Sequence, residues 1–290
     1  LGKGVVVAKD TPGFIANRIG LYSVMRVLEL LTSGQFTIEE VDALSGPAIG
    51  RPKSATFRTM DIAGVDILAH VARDLSERLE SEDERRQFLV PPLVEELVTR
   101  GWIGEKAGQG FYKKERTSEG SRILVLDPAA LEYRERQSPQ LPGLDAALGI
   151  DDVGQRVRTL LLDDGRVGEF MRATLGKTLV YAAEAAPMIA HSVDDVDRAM
   201  RWGYGWKLGP FELWDAIGSE TVLQACEVTD GPPLVRDLSV RGGESSSPVR
   251  RFRKGAVLPA GPDLQILRSA KERRPVVRQN AGASLVDLGD

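Results

Sequence analysis

The sequence has little cysteine, little histidine and no long apolar run, and each shortage excludes a class of protein. Its 290 residues include one cysteine, Cys226, and two histidines. A single thiol excludes an internal disulfide framework and is typical of a reducing compartment, so we expect a cytoplasmic protein. So few imidazoles and thiols make a zinc site of the usual kind unexpected. No stretch approaches the ~18–20 apolar residues of a membrane helix, so no membrane span is expected.

Charge is nearly balanced over the chain but unevenly distributed. The formal net charge is −4, whereas residues 232–290 carry 11 Lys and Arg against 6 Asp and Glu. The basic clusters in this tail are short, and no basic amphipathic helix accompanies them. We therefore interpret the tail as a solvated linker and do not expect nucleic-acid binding. An anionic partner for the tail is the alternative.

Hydrophobic periodicity predicts a mainly helical chain. The β-branched run at 4–8 predicts a strand, and the Pro-Gly joint at 9–13 separates it from the first helix. Thr37 and Glu40 have the spacing of a capping box, which Ser192 and Asp195 repeat. The three glycines of 104–111 predict a loop. Helices are expected over residues 14–31, 61–79, 87–100 and 169–186, with a short helix at 263–271. The apolar run at 123–126 and the last residues, 283–290, are strand-like.

An internal repeat indicates a duplicated domain. TIEEVD at 37–42 matches SVDDVD at 192–197, and MDIAG at 60–64 matches WDAIG at 214–218. The offsets are 155 and 154 residues, and the repeated unit of ~80–100 residues is far longer than a solenoid repeat. Two copies that bury complementary faces can mimic a symmetric dimer within one chain.

No complete catalytic set is visible in the sequence. It contains no dinucleotide-binding glycine fingerprint, no phosphate-binding loop and no serine nucleophile elbow. His70 and His191 are interpreted as structural or solvent-facing. Asn17 is the most informative polar residue, because helix propensity does not favour an asparagine in a first turn. Its amide both donates and accepts, which suits a hydroxyl that becomes a carbonyl, although a local capping role is the alternative.

Several motifs resemble one enzyme family. Asp10-Thr11-Pro12-Gly13-Phe14-Ile15-Ala16-Asn17-Arg18 resembles the opening of the C-terminal domain of 3-hydroxyacyl-CoA dehydrogenases. The resemblance continues through GPAIGRP at 46–52, DIAGVD at 61–66 and GQGFY at 108–112. The second copy, with LGPFEL at 208–213, is similar to the degenerate second domain of multifunctional β-oxidation enzymes. The tail is similar to the approach to an enoyl-CoA hydratase domain.

The resemblance implies an all-α fold like the C-terminal domains of 3-hydroxyacyl-CoA and 6-phosphogluconate dehydrogenases, duplicated here. We expect the chain to divide into five segments. They are 1–12, a residual strand and joint of an NAD-binding domain; 13–113, a first helical domain; 114–150, a linker; 151–231, a second, degenerate copy; and 232–290, an irregular tail.

The resemblance also implies a reaction, the oxidation of a 3-hydroxyacyl-CoA by NAD to 3-oxoacyl-CoA and NADH. In the family the catalytic His–Glu pair and the NAD site lie in a Rossmann domain, expected upstream of residue 1, so these residues alone are expected to be inactive. Asn17 falls on the family's active-site asparagine, with catalytic and substrate-binding roles. Lys106 falls on a lysine that reaches NAD, and Trp202 lies near a position where multifunctional relatives place a substrate-contacting tyrosine. The expected partners are acyl-CoA, the Rossmann domain, an enoyl-CoA hydratase domain and a second copy of the chain.

Two alternatives belong to other classes. In the first alternative, the chain is a non-catalytic helical module for dimerisation or scaffolding, and such a module would not bind acyl-CoA. In the other it belongs to relatives that oxidise short β-hydroxy acids without CoA. Those relatives carry a catalytic lysine in the first helix of this domain, and no lysine lies between Lys9 and Lys53 here.

Overall fold

The computed structural model describes residues 4–117, 120–240, 276–279 and 284–286. Helices make up most of this part of the chain. They are α1 (Ala16–Thr32), α2 (Ile38–Ser45), α3 (Phe57–Ala63), α4 (Val65–Arg78), α5 (Glu82–Arg86), α6 (Pro92–Thr99), α7 (Pro142–Ala147), α8 (Val153–Leu161), α9 (Arg166–Met171), α10 (Lys177–Ile189), α11 (Val193–Tyr204), α12 (Pro210–Ile217), α13 (Ser219–Ala225) and α14 (Pro233–Val240).

Helix α1 lies at the centre of the fold and packs on α10, α11 and α4. It begins after two residues with positive φ, Gly13 at 74° and Phe14 at 49°. A Cβ at Gly13 would lie 2.9 Å from Cδ2 of Leu75, so this turn favours glycine for its conformation and for its close packing. The joint therefore fixes the direction in which α1 enters the core.

The two predicted caps are confirmed. Thr37 accepts a hydrogen bond from the Glu40 N–H, and the Glu40 carboxylate accepts one from the Thr37 N–H. Ser192 accepts one from the Asp195 N–H at 3.1 Å. Each hydroxyl satisfies a backbone donor that a helix N-terminus would otherwise leave unpaired.

Two aspartates repeat the same local geometry in the two halves of the chain. Asp42 accepts hydrogen bonds from the Thr56 and Phe57 N–H groups, at 3.0 and 2.8 Å. Asp197 accepts them from the Phe211 and Glu212 N–H groups, at 2.8 and 3.2 Å. In both cases a carboxylate from one helix holds the start of the next helix in the chain.

Aromatic and charged side chains join the two halves. The rings of Tyr22 on α1 and Tyr181 on α10 stack with their centres 4.0 Å apart, and Phe88 packs edge-on against both. Arg18, only 4% exposed, pairs with Glu84 at 2.6 Å. The Tyr181 hydroxyl lies between them, accepting from Arg18 and donating to Glu84.

A three-stranded antiparallel sheet departs from the expected all-α fold, which is not confirmed. Strands β1 (Tyr112–Thr117), β2 (Gly120–Asp127) and β3 (Glu132–Glu135) pair in chain order, with Tyr112 opposite Val125 and Leu126 opposite Tyr133. The expected linker 114–150 therefore contains most of a sheet and helix α7. Only the central strand has an apolar run, because Leu124–Leu126 are buried while the outer strands are charged and largely exposed.

Residues 4–8 form no strand in the described part of the chain, and the predicted strand, whose sheet is expected in the NAD-binding domain, stays a prediction. Ala8 makes a single bridge to Ala190, and the Lys9 N–H donates to the Ile189 carbonyl at 3.0 Å. A β-branched run becomes a strand only where a neighbour satisfies its backbone groups, and here one residue has such a neighbour.

Helix α14 extends beyond the expected second copy, into the predicted tail. Further along, β4 (Val276–Gln279) pairs antiparallel with β5 (Ser284–Val286), which overlaps the strand-like end of the sequence. The helix predicted at 263–271 lies outside the described residues. Among the helices described, none combines the length and the apolar character needed to cross a membrane.

Candidate functional site

A cavity of about 460 Å³ opens between the two halves of the chain. One wall comes from α1, another from α3 and α4, and a third from the end of α11 and the residues after it. Apolar side chains line much of it, including Leu21, Val24, Met60, Ile67 and Leu68. The cavity therefore has the size and surface of a site for a mainly apolar small molecule that also carries polar groups.

Asn17 lies at the edge of this cavity on the first turn of α1. The residue is exposed, and its side-chain amide makes no hydrogen bond to any residue in the described part of the chain. It does not cap α1, because Ile15 occupies the N-cap position and makes no side-chain bond there. The local capping alternative is thus not supported, and the amide is available to a ligand.

Polar side chains concentrate on the wall formed by the loop before α3. Thr56 donates a hydrogen bond to Ser45 at 2.7 Å, and both residues line the cavity. Arg51 lines the same wall, donates to Ser23 at 3.2 Å and lies over the ring of Trp206. The cavity thus combines an apolar side with a side rich in hydrogen-bonding groups.

The structure does not bring Lys106 into the cavity lined by Asn17. Lys106 lies in a short 3-10 turn, Glu105–Ala107, and its Nζ is 2.7 Å from the Asp66 carboxylate. This hydrogen bond lowers the pKa of Asp66. The lysine side chain is 47% exposed, and Asp66 directly precedes the cavity residue Ile67. Lys106 therefore lies on the outer side of the α4 wall of the cavity, where its side chain is accessible to solvent.

The glycine-rich loop around Lys106 is held by a buried aspartate. Asp61 accepts hydrogen bonds from the Phe111 and Tyr112 N–H groups, each at 2.8 Å. Burial raises the pKa of Asp61 to about 6, against the lowering effect of these two bonds. A Cβ at Gly104 would overlap the Asp61 carbonyl, which explains why glycine is needed there.

Trp202 also lies outside the cavity. It is 56% exposed, and its ring lies against Gly4, where an added Cβ would be 2.5 Å from the ring. On the same helix, Tyr204 does line the cavity beside Gly20. Burial raises the pKa of Tyr204, and its hydroxyl has no hydrogen-bond partner among the described residues. Sequence reasoning missed Tyr204, although it lies only two positions from Trp202.

A second, larger cavity of about 840 Å³ lies beside the sheet. Its lining includes Asp42, Tyr112 and Lys113 together with other charged side chains. The Tyr112 hydroxyl donates to Asp42 at 2.7 Å, while burial raises the pKa of Asp42 to about 6. Asn17 does not border this cavity, although Ser54 lines both cavities.

The comparisons with known proteins identify the family. The model described as "3-hydroxyacyl-CoA dehydrogenase, C-terminal domain" matches residues 13–114 and 170–239, more than half of the chain. The chain belongs to the 3-hydroxyacyl-CoA dehydrogenase family. Both matched segments contribute to the cavity lined by Asn17, the first through α1, α3 and α4 and the second through Tyr204 and Trp206.

Relatives from several bacteria agree with this membership. A probable 3-hydroxyacyl-CoA dehydrogenase of Bacillus subtilis is 41% identical over all of this chain and 37% of its own length. Another of Deinococcus radiodurans is 49% identical over 39% of this chain and 32% of its own. A putative fatty acid oxidation complex trifunctional enzyme of Rickettsia felis is 29% identical over 73% of this chain and 28% of its own. The chain thus spans about a third of the length of these relatives.

Proposed function

We propose that these residues form the substrate side of an NAD-dependent 3-hydroxyacyl-CoA dehydrogenase of fatty-acid β-oxidation. The observation that carries the proposal is the unpartnered amide of Asn17 at the edge of a largely apolar cavity. An amide in this position holds the oxygen on C3 of the substrate in both its hydroxyl and carbonyl forms, because it can accept from one and donate to the other. The apolar walls take the acyl chain.

NAD would be held mainly by a nucleotide-binding domain, which also carries the family's His–Glu pair. Bound NAD⁺ supplies the acceptor for the hydride that leaves C3. The Lys106 ammonium, half exposed and fixed by Asp66, fits a contact with an oxygen of this cofactor. Asn17 orients the C3 oxygen and stabilises the developing carbonyl. On this proposal the described residues alone have no dehydrogenase activity.

The predicted substrate contact of Trp202 stays a prediction, and Tyr204 has the better geometry for it. A tyrosine hydroxyl donates and accepts, whereas an indole only donates. Tyr204 borders the cavity and Trp202 does not. We therefore assign the contact from the second half of the chain to Tyr204, with Trp202 as the weaker candidate.

We also propose that the two helical regions arose by duplication. The backbone hydrogen bonds of Asp42 recur at Asp197, about 155 residues later, with the same donor positions. Gly50 and Gly205 share a left-handed conformation, with φ of 72° and 67°. These loops also touch, since the Lys207 N–H donates to the Gly50 carbonyl at 2.8 Å. Contact between equivalent loops is what a pseudo-twofold pairing of two copies produces.

The longer context of the chain belongs to the same proposal. Relatives named as trifunctional fatty acid oxidation enzymes support a multifunctional polypeptide, with an enoyl-CoA hydratase domain after the tail. Cytoplasmic location and a homodimer remain predictions. A scaffold without substrate is the competing function, and binding of acetoacetyl-CoA separates the two.

The proposal is tested by Asn17→Ala, with a family nucleotide-binding domain added in trans. Oxidation of NADH by acetoacetyl-CoA is the measurement. We expect the rate to fall by about 10²–10³, as for other single polar groups that act on a developing oxyanion. The fold should be unchanged, because Asn17 is exposed. Gln35→Ala, also exposed and remote from the cavity, is the matched control and should keep full activity. Equal rates for both variants would remove Asn17 from the site.

A further inference from the structure

Arg51 is a half-buried cation on the wall of the Asn17 cavity, and it has no acidic partner in the described part of the chain. Burial alone lowers the pKa of Arg51 to about 9, with no neighbouring carboxylate acting against it. Other interior arginines differ, since Arg18 pairs with Glu84 and Arg134 pairs with Glu39. Buried cations are normally paired, because removing a charge from water is costly. Arg156 and Arg172 also lack an acidic partner, but their guanidinium groups donate to backbone carbonyls, whereas the Nη2 of Arg51 donates to no group in the described part of the chain.

The hydrogen bonds of this guanidinium are also incomplete. Its Nη1 donates to Ser23 at 3.2 Å, while Nη2 is buried with no hydrogen-bond partner among the described residues. A guanidinium has five N–H donors in a rigid planar fork. An unsatisfied buried donor is destabilising, so a partner that enters the cavity would relieve a cost already present in the fold.

Trp206 fixes the plane of the fork. The Cζ atom of Arg51 lies 4.0 Å from the centre of the Trp206 ring, in the geometry of a cation–π contact. Such stacking holds the guanidinium while leaving its in-plane donors free. A planar, pre-oriented fork matches the two oxygens of a carboxylate or phosphate.

We propose that Arg51 binds an oxyanion of the ligand that occupies this cavity. The identity of that ligand rests on the proposed function, which makes it an acyl thioester. Two parts of such a ligand carry the required chemistry. One is a phosphate of the CoA portion, and the other is a carboxylate at the far end of the acyl chain. Ser23 and Trp206 act as positioning residues for the guanidinium.

The test compares wild-type chain with Arg51→Met and Arg51→Lys by intrinsic fluorescence, because Trp206 stacks on the guanidinium and reports on it. Three probes are titrated: acetoacetyl-CoA, acetoacetyl-pantetheine, which has no phosphate, and adipyl-pantetheine, which ends in a carboxylate. Arg73→Met is the matched control, since Arg73 is exposed, pairs with Glu95 and lies outside the cavity.

We expect Arg51→Met to bind one class of probe about 10–100-fold more weakly, because a charged hydrogen bond is lost. Loss confined to acetoacetyl-CoA identifies the phosphate, and loss confined to adipyl-pantetheine identifies the carboxylate. Arg51→Lys keeps the charge without the planar fork, and it should bind the same class of probe several-fold more weakly than the wild type. If either folded variant binds all three probes like the wild type, the proposal is overturned.

A second measurement separates this proposal from the proposed function. Phosphate and adipate should raise the thermal unfolding midpoint of the wild type above its value in sodium chloride of equal ionic strength, and Arg51→Lys should reduce that rise. If no thioester binds, but phosphate and adipate still raise the unfolding midpoint and Arg51→Lys reduces that effect, the dehydrogenase proposal fails and the oxyanion site stands. Absence of both effects rejects the oxyanion site.

Discussion

Asp197 shows how a single buried carboxylate makes stability depend on pH. Burial raises its pKa to about 8, although two backbone N–H groups act in the opposite direction. The folded chain then holds a proton that the unfolded chain releases near pH 4. Stability from this group is present at low pH and is lost as the pH rises to about 8. Asp42 and Asp61 act in the same sense, but only up to about pH 6.

We predict that the free energy of unfolding falls between pH 6 and 8, with a contribution from Asp197 of at most about 1.4 kcal/mol per pH unit. Asp197→Asn should flatten this part of the profile. Urea unfolding at a series of pH values is the measurement. Asp145→Asn, at an exposed position in α7, should leave the slope unchanged. A slope that survives in Asp197→Asn would mean that another group titrates.

At the same scale, the sequence drew attention to Asn17 but not to the residues that lie near it at the same cavity, while the role predicted for Asn17 stays a prediction. An asparagine in a first helical turn is unusual enough to be noticed without a structure. Tyr204 and Arg51 have ordinary sequence contexts, because tyrosine and arginine are common on helices and in loops. Their placement at one cavity depends on the packing of the second half against α1, and no local pattern records that packing.

At the scale of secondary structure, hydrophobic periodicity predicted where the chain is helical, but it did not predict where one helix ends and the next begins. A helix predicted over 61–79 is instead divided at Gly64, where φ is 104°. The break depends on a contact with residues next to the distant Gly-rich loop, because the Val65 N–H donates to the Ile103 carbonyl. A local sequence pattern does not predict this contact. The strand-like run at 123–126 falls in β2, but the rest of the sheet was not predicted, because β1 and β3 are rich in charge and lack the apolar alternation of half-buried strands.

The Gly-rich loop provides a prediction at this scale. A Cβ at Gly110 would overlap an Asp61 carboxylate oxygen and lie 2.8 Å from the Gly104 Cα. Gly110→Ala should therefore displace the carboxylate that holds Phe111 and Tyr112, and lower the free energy of unfolding by about 1–3 kcal/mol. Chemical denaturation measures the change. Gly149→Ala is the control, since no atom lies within 4 Å of its added Cβ, and it should change stability by less than about 0.5 kcal/mol.

For the whole molecule, the decisive feature is that neither helical half closes its own core. Helix α1 from the first half is buried against α10 and α11 from the second. The stacked rings of Tyr22 and Tyr181 and the bonds that link Arg18, Glu84 and Tyr181 cross the same boundary. The repeated motifs predicted two related units, but they did not show that the units share one interior.

This shared interior predicts how a truncated chain behaves. Residues 4–135 alone would expose the α1 face that Tyr181 and α11 now cover, and a large apolar patch drives self-association or loss of fixed packing. We expect this fragment to self-associate or to lose its near-ultraviolet circular dichroism, as measured by sedimentation and spectroscopy. Adding residues 136–240 from a second plasmid should restore a one-to-one complex with a single cooperative unfolding transition. A monomeric 4–135 fragment that unfolds cooperatively would show instead that the first half is an independent domain, and that the second half only covers an already closed core.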